Sequence, residues 1–323
     1  PAAARPGLFG ALAGRDVVIV FVESYGRTVF EDPLYRSRQH DRLRAGEAAL
    51  RAAGLGMRSG WLGSPIRGGQ SWLAHATLAS GLAISDQGMY AALLSSGRQG
   101  LFHLAAAAGY DTLAVAPAIT LPWPEAERLG FARTLEAADL GYRGPAFGWV
   151  TMPDQFTLEA FERLAPGDGP RMTEIALISS HAPWTPLPRM VPREDLGDGR
   201  IFGPMAAAGP APRALWADPG RVRLHYALAL DYALAAVFDW AARPRATPPV
   251  LLVLGDHQPG GPVAPSGGDQ VPAHLIAPPE VLALFDGWGW QEGLQPDPQA
   301  PAWPMERFRD RFLAATAAPG AGP

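Results

Sequence analysis

Hydrophobic positions in this chain fall into two patterns: short, nearly continuous runs, and longer stretches with an apolar residue every three or four positions. Four runs are of the first kind: Val17 to Val22 (VVIVFV), Thr112 to Ala116 (TLAVA), Glu174 to Ile178 (EIALI) and Val250 to Leu254 (VLLVL). A strand without polar alternation is buried on both faces, as in a parallel sheet covered by helices. Ala273 to Ile276, inside VPAHLIA, is a weaker strand candidate. The second pattern predicts helices over Asp41 to Ala53, Ser71 to Ser80, Gly100 to Ala108, Thr157 to Leu164 and Val222 to Trp240. In the last, Leu224, Leu228, Asp231, Leu234 and Phe238 share one face at steps of three and four. Strand and helix alternate, so the expected fold class is α/β, a central and mostly parallel sheet between helices.

Two stretches lack either pattern. Pro183 to Pro219 is rich in Pro, Gly and Arg, and Gly260 to Pro272 contains PGGPVAPSGG. Long loops in compact folds are often functional. The first residues, PAAARPGLFG, read as a linker, so the chain is expected to be cut from a longer protein. Near the other end, a Pro-rich segment from Gln295 to Pro304 precedes an amphipathic stretch, Met305 to Leu313, expected as a final helix.

Composition narrows the function classes. The 323 residues are 48% hydrophobic, enough for a full core, and only 18% charged. The counts of Gly (37) and Pro (34) predict many turns. A net charge of -4 without any Lys/Arg block argues against a nucleic-acid partner. Zero cysteines rule out disulfides, zinc knuckles and a thiol nucleophile. No run of eighteen apolar residues is present to span a membrane. Nothing in the composition fixes the oligomeric state.

Candidate chemistry gathers at strand ends. Glu23 directly follows VVIVFV, and Asp256 and His257 follow VLLVLG. Ligands of open α/β sheets collect where strands end. A carboxylate beside an imidazole suits zinc or a similar divalent ion, although Asp-His also makes an ordinary polar turn. Ser71 follows Gly68 and Gly69 at an expected helix start, where backbone N–H groups and the helix dipole favour an anion. An N-cap serine satisfies the same pattern. Coordination to a metal would activate its hydroxyl as a nucleophile. His181, in ISSHAPW, is placed to bond a substrate oxygen or to protonate a leaving group, or else is a loop histidine. Weaker candidates for substrate contact are Arg67, Trp72, His75, His225 and His274. Trp61 and Trp184 either wall a pocket or fill the core.

The segments VVIVFVESYG, GGQSWLAHATLASG and VLLVLGDHQP, supported by ISSHAPW, resemble the alkaline phosphatase and sulfatase superfamily. Within it, the chain is similar to the branch of lipoteichoic acid synthases and phosphoglycerol and phosphoethanolamine transferases. The resemblance implies an alkaline phosphatase-like sandwich, with a catalytic domain over residues 16–290. Residues 1–15 would link it to a missing membrane region, and 291–323 would form the Pro-rich segment and C-terminal helix or tail. It implies one divalent ion, Zn or Mn, held by Glu23, Ser71, Asp256 and His257, with His181 in the substrate pocket. It further implies an extracytoplasmic location on the periplasmic side of the inner membrane. The implied partners are a phospholipid donor and a glycan or lipid acceptor. The implied reaction moves a phospho-head group through a covalent phospho-serine. A phosphodiester or phosphomonoester hydrolase uses nearly the same residues and is the alternative; a sulfatase or a non-catalytic binding domain ranks below both. Two departures stand out. The transferase branch usually presents threonine where this chain has Ser71, and the sulfatase signature of a modified residue followed by Pro and Arg is absent from QSWLA. Tyr226 and Asp231 match the branch loosely, and Asp231 reads as the maker of an internal hydrogen bond.

Overall fold

The computed structural model describes residues 7–165, 169–264 and 267–318. Its centre is one nine-stranded sheet built from β1 (Val17–Val22), β2 (Gly56–Gly63), β3 (Asp111–Ala116), β4 (Arg133–Glu136), β5 (Arg171–Leu177), β6 (Val250–Gly255), β7 (Gln270–Ala277), β8 (Gln291–Glu292) and β9 (Trp303–Pro304). The spatial order is β4-β3-β5-β1-β6-β7-β2-β8, with β9 also on β2. The block from β4 to β6 is parallel, while β7 runs antiparallel to both β6 and β2.

The apolar runs behave as their pattern requires. Val17, Ile19 and Phe21 of β1 enter one core with the helices Ser71–Ser80, Leu101–Ala107 and Arg307–Thr316. Val18, Val20 and Val22 enter the other, with the helices Pro33–Ala52, Asp154–Leu164 and Pro219–Ala241. Neither face of β1 meets water, so no polar residue interrupts it until Glu23.

Elsewhere the boundaries shift for local reasons. The helix expected from Asp41 begins at Pro33, because the Asp32 carboxylate caps it by accepting from the Leu34 N–H at 2.9 Å. The long helix is nearly all buried beyond Tyr226, and Leu224 of the expected inner face is exposed. Asp231 is half-buried and accepts both arms of the Arg42 guanidinium, at 2.8 and 3.0 Å. Within 183–219 there are only short helical turns, the longest Pro212–Trp216. The expected loop 260–272 already contains the start of β7 at Gln270, and its residues 265–266 lie outside the described residues.

The described segments nearest both termini join the body. Residues 1–6 and 319–323 lie outside the described residues, but Phe9 and Leu12 of the expected linker are buried. Phe9 packs on Tyr110 and Phe312, and the Ala318 N–H reaches the Gly7 carbonyl at 2.8 Å. Residues 291–304 contribute β8 and β9 to the edge of the same sheet.

Candidate metal centre and nucleophile

Strand β1 lies between β5 and β6, and the chain leaves it first toward β2 on one side and then toward β3 on the other. Such a reversal of strand order opens a crevice at the carboxyl ends of the strands. Val22 is in register with Gly255 of β6 and Leu177 of β5. Glu23 and Asp256 therefore emerge side by side, one residue past the sheet, with the 178–181 turn on the other flank. Gly255 permits the close approach: a Cβ there would lie 1.8 Å from the Tyr25 carbonyl oxygen.

Glu23, Asp256 and His257 are buried, and one ligand atom from each lies within 4.8 Å of the others. His257 Nε2 is 3.2 Å from Glu23 Oε1 and 3.7 Å from Asp256 Oδ2. The other ring nitrogen, Nδ1, lies 2.9 Å from the Gln258 carbonyl; donating its N–H there fixes the tautomer and turns the Nε2 lone pair inward. Asp256 Oδ1 is already used, accepting from the backbone N–H groups of Ser24 at 2.8 Å and His257 at 2.7 Å.

Ser71 completes the group. Gly68, Gly69 and Gln70 all have positive φ, at 71°, 139° and 64°, and the chain turns through them into the helix. Gly68 also donates its N–H to the Gln258 carbonyl at 2.9 Å, tying this turn to the one after His257. Gln70, not Ser71, is the N-cap, so the capping role that the sequence also allowed for the serine is not taken. Its hydroxyl instead donates to Glu23 Oε2 at 2.9 Å and lies 3.3 Å from His257 Nε2.

Electrostatics bear on whether a cation fits. Burial alone would raise the Glu23 carboxyl, but the His257 hydrogen bond and the charges of His257 and His181 hold it well below the usual carboxylate range. Burial and the neighbouring Glu23 charge push Asp256 upward. His257 is raised: burial opposes its charge, and the two carboxylates outweigh burial. Two carboxylates this close, out of water, require compensating positive charge. Two carboxylate oxygens, an inward imidazole nitrogen and a hydroxyl form a hard-to-borderline donor set that fits a divalent ion of the zinc or manganese type.

The remaining expected residues separate into near and far. His181 follows β5, half-buried; its Nδ1 lies 2.5 Å from the Ala182 carbonyl and its ring stacks on Trp149 at 4.2 Å. Trp72 is exposed beside Ser71 and donates to Gln87. His75 stacks on Phe21 at 3.8 Å and pairs through Nδ1 with the buried Glu174 at 3.0 Å. His225 faces the Trp184 carbonyl at 3.0 Å and lines a separate cleft of about 500 Å³ between the long helix and the 185–209 loop. Arg67 is not turned to the centre as a phosphate partner: its guanidinium donates to the carbonyls of Gly267, at 2.7 Å, and Ala264, bracing the loop after His257. His274 is not a substrate contact either. It is fully buried, between the Tyr25 hydroxyl at 3.1 Å and Ser59 Oγ at 2.7 Å, and burial pushes its ring down to about 3, so it stays neutral. Of the two uncertain tryptophans, Trp61 and Trp184 are both buried.

Supporting residues were less visible in the sequence. Ser180 Oγ donates to the Glu23 carbonyl at 2.6 Å, and the Tyr226 hydroxyl donates to the Ser24 carbonyl at 2.8 Å. Asp154 Oδ1 accepts the N–H groups of Ile178 and Ser179, each at 2.9 Å, and shapes the turn that carries His181. The only signal for the two serines was their place beside a strand-end carboxylate and histidine. Asp154 and Tyr226 lie far away in sequence, the first just before an expected helix and the second within one.

The family model described as Sulfatase matches residues 15–281, and the chain belongs to that family, within the alkaline phosphatase and sulfatase superfamily. Its fold is that of lipoteichoic acid synthase-like phosphoglycerol and phosphoethanolamine transferases. The structure is similar to lipoteichoic acid synthase LtaP from Listeria monocytogenes at TM-score 0.53 and 13% identity, covering 82% of this chain and 65% of that one. It is also similar to the phosphoglycerol transferase GacH of Streptococcus pyogenes, solved with sn-glycerol-1-phosphate, at TM-score 0.54 and 13% identity, covering 97% and 86%. The C-terminal periplasmic domain of the phosphoethanolamine transferase EptC from Campylobacter jejuni matches at TM-score 0.55 and 12% identity, covering 93% and 88%. The chain thus spans just under two thirds of the LtaP structure. A search of the curated proteins gives no match. Among the described residues, no helix is long and apolar enough to cross a membrane.

Proposed function

We propose that this chain is the catalytic domain of a metal-dependent transferase that moves a phospho-head group from a phospholipid to a glycan or lipid alcohol. Extracytoplasmic work, on the periplasmic side of the inner membrane, goes with that reading. The observation that carries it is the Ser71 hydroxyl, held 2.9 Å from Glu23 Oε2 and 3.3 Å from His257 Nε2 at the edge of a buried Glu-Asp-His cluster. Glu23, Asp256, His257 and Ser71 would hold one divalent ion, Zn or Mn; when bound, it would lower the hydroxyl pKa and neutralise charge building on phosphorus.

The protein's own groups do the rest. The positive-φ turn at Gly68 to Gln70 fixes where Ser71 Oγ stands, so little entropy is lost when it meets the phosphorus. A bond forms from Ser71 Oγ to phosphorus as the bond to the lipid alcohol breaks. In this reading His181, which stacks on Trp149, protonates the departing alkoxide. An acceptor alcohol then attacks the phospho-serine and frees Ser71. The hydroxyl alone is a weak nucleophile at neutral pH, which is why the serine needs this surrounding.

Incubating the chain with a divalent ion and phospholipid vesicles, then mapping adducts by mass spectrometry, tests the reading. A head-group phosphate on Ser71 is expected. An adduct on another residue overturns the assignment. Release of free head-group phosphate that added acceptor alcohols do not change overturns the transferase reading in favour of hydrolysis.

A further inference from the structure

Ten large hydrophobic side chains are exposed among the described residues, and five of them are linked to the crevice, while Leu34, Leu82, Met190, Ile201 and Leu224 lie elsewhere. The three exposed tryptophans among the described residues are Trp72, Trp149 and Trp216, at 44%, 56% and 42% exposure. Each is tied to the catalytic crevice. Trp72 is the neighbour of Ser71, and Trp149 stacks on His181. Trp216 stacks on Trp184 with ring planes 8° apart, and the Trp184 indole N–H donates to the Ser180 carbonyl. Two aliphatic side chains extend the ring. Leu121, in the loop leaving the carboxyl end of β3, is 76% exposed, the largest value among the exposed large hydrophobics. Met89, at 47%, sits two residues from Gln87, which accepts from the Trp72 indole.

We propose that this ring is a docking surface for a phospholipid bilayer, seating the crevice against the headgroup layer. The inference rests on the lipid-donor reading above and adds the surface that brings a membrane-resident donor to Ser71. Indoles favour the boundary between water and hydrocarbon, because an apolar ring carries a polar N–H at one edge. The Trp72 and Trp216 N–H groups are already held, by Gln87 and by the Pro183 carbonyl, so the rings are fixed in their exposed poses. A glycan partner would account for the tryptophans alone, by ring stacking. It has no use for a bare leucine and methionine, whereas an acyl-chain boundary accepts both.

Flotation with vesicles of phosphatidylglycerol and phosphatidylethanolamine tests the proposal, using the chain carrying Ser71→Ala so that turnover plays no part. The starting chain is expected to float with the vesicles. Leu121→Ser, and Leu121→Ser with Trp216→Ser, should weaken binding by about tenfold or more, given the apolar area removed. Leu82→Ser serves as the control: Leu82 is also exposed, at 40%, but lies beyond the far end of the helix that Ser71 begins. It should leave binding unchanged. In the Ser71 background, Leu121→Ser should slow turnover of vesicle lipid while leaving a water-soluble chromogenic phosphodiester unaffected. Equal loss in the Leu82→Ser control, or no flotation of the starting chain, overturns the docking surface. Flotation intact with no turnover of either substrate overturns the catalytic reading and leaves the surface standing.

Discussion

Asp154 is a buried carboxyl that the chemistry at the centre does not use. One oxygen takes two backbone N–H groups of the 178–179 turn, and the other, Oδ2, is buried with no hydrogen-bond partner. Burial pushes its pKa up to about 6 against those stabilising bonds. The folded state therefore binds the proton more tightly than the unfolded state, whose value is 3.8. The stability this contributes is present below the unfolded value and is lost as pH rises through the folded one. Between pH 4 and 7 the loss should be about 2 kcal/mol. Denaturant titrations of wild type and Asp154→Asn at both pH values check this: the wild type should lose that much relative to the variant, and parallel curves would contradict it. His274 carries the opposite sign. Its folded value of about 3 lies below the usual 6.5, so its contribution is whole above pH 6.5 and declines as pH falls toward 3. His274→Gln should flatten the acid limb of the stability curve measured by thermal melts.

At the scale of elements, legibility followed burial. Strands β1 and β6 were plain in the sequence because both faces are covered, so a run of apolar residues is all that the sheet accepts. Strand β2, written GMRSGWLG, was not legible. It lies near the sheet edge, pairs antiparallel with β7, and carries glycines and an arginine where the interior strands carry Val and Leu. The helix Gln87–Ser95 was missed because only Tyr90 in it is buried. The candidate ligands were readable as Glu and Asp-His at strand ends and as Gly-Gly-Gln-Ser at a helix start. Their supports were not, since a hydroxyl such as Tyr226 is functional only through what the fold puts opposite it. The long helix reaches the centre through that hydroxyl, holding Ser24, whose φ is 57° and whose N–H serves Asp256. Tyr226→Phe should leave the secondary structure intact and weaken metal binding, by less than the roughly ten- to hundredfold that losing a ligand's own hydrogen-bond partner costs, because it acts on Asp256 one step removed, through Ser24. Competition with a chelator measures this, and unchanged affinity would remove the helix from the metal's support.

For the whole molecule, the crevice joins residues far apart in sequence: Glu23 and Ser71 from the first quarter, Asp256 and His257 from the last. An ion shared by them would bind only the folded chain, and so would link the two ends of the sequence thermodynamically. At a free concentration a hundredfold above its Kd, it should add about 2.7 kcal/mol to stability. Zinc or manganese should raise Tm in thermal scans, and a chelator should reverse the rise. Glu23→Gln should sharply reduce the response, because it removes one buried charge and leaves a neutral amide oxygen, a poorer ligand than a carboxylate. A rise of equal size in that variant would place the ion elsewhere.

The most direct test of the metal-serine centre measures bound metal and turnover of a chromogenic phosphodiester together, in wild type and Ser71→Ala. The geometry predicts one tightly bound ion and turnover in the wild type, with turnover lost in the variant and the ion retained by Glu23, Asp256 and His257. Turnover unchanged in Ser71→Ala, or a wild type that stays ion-free and inactive with zinc or manganese present, would contradict it.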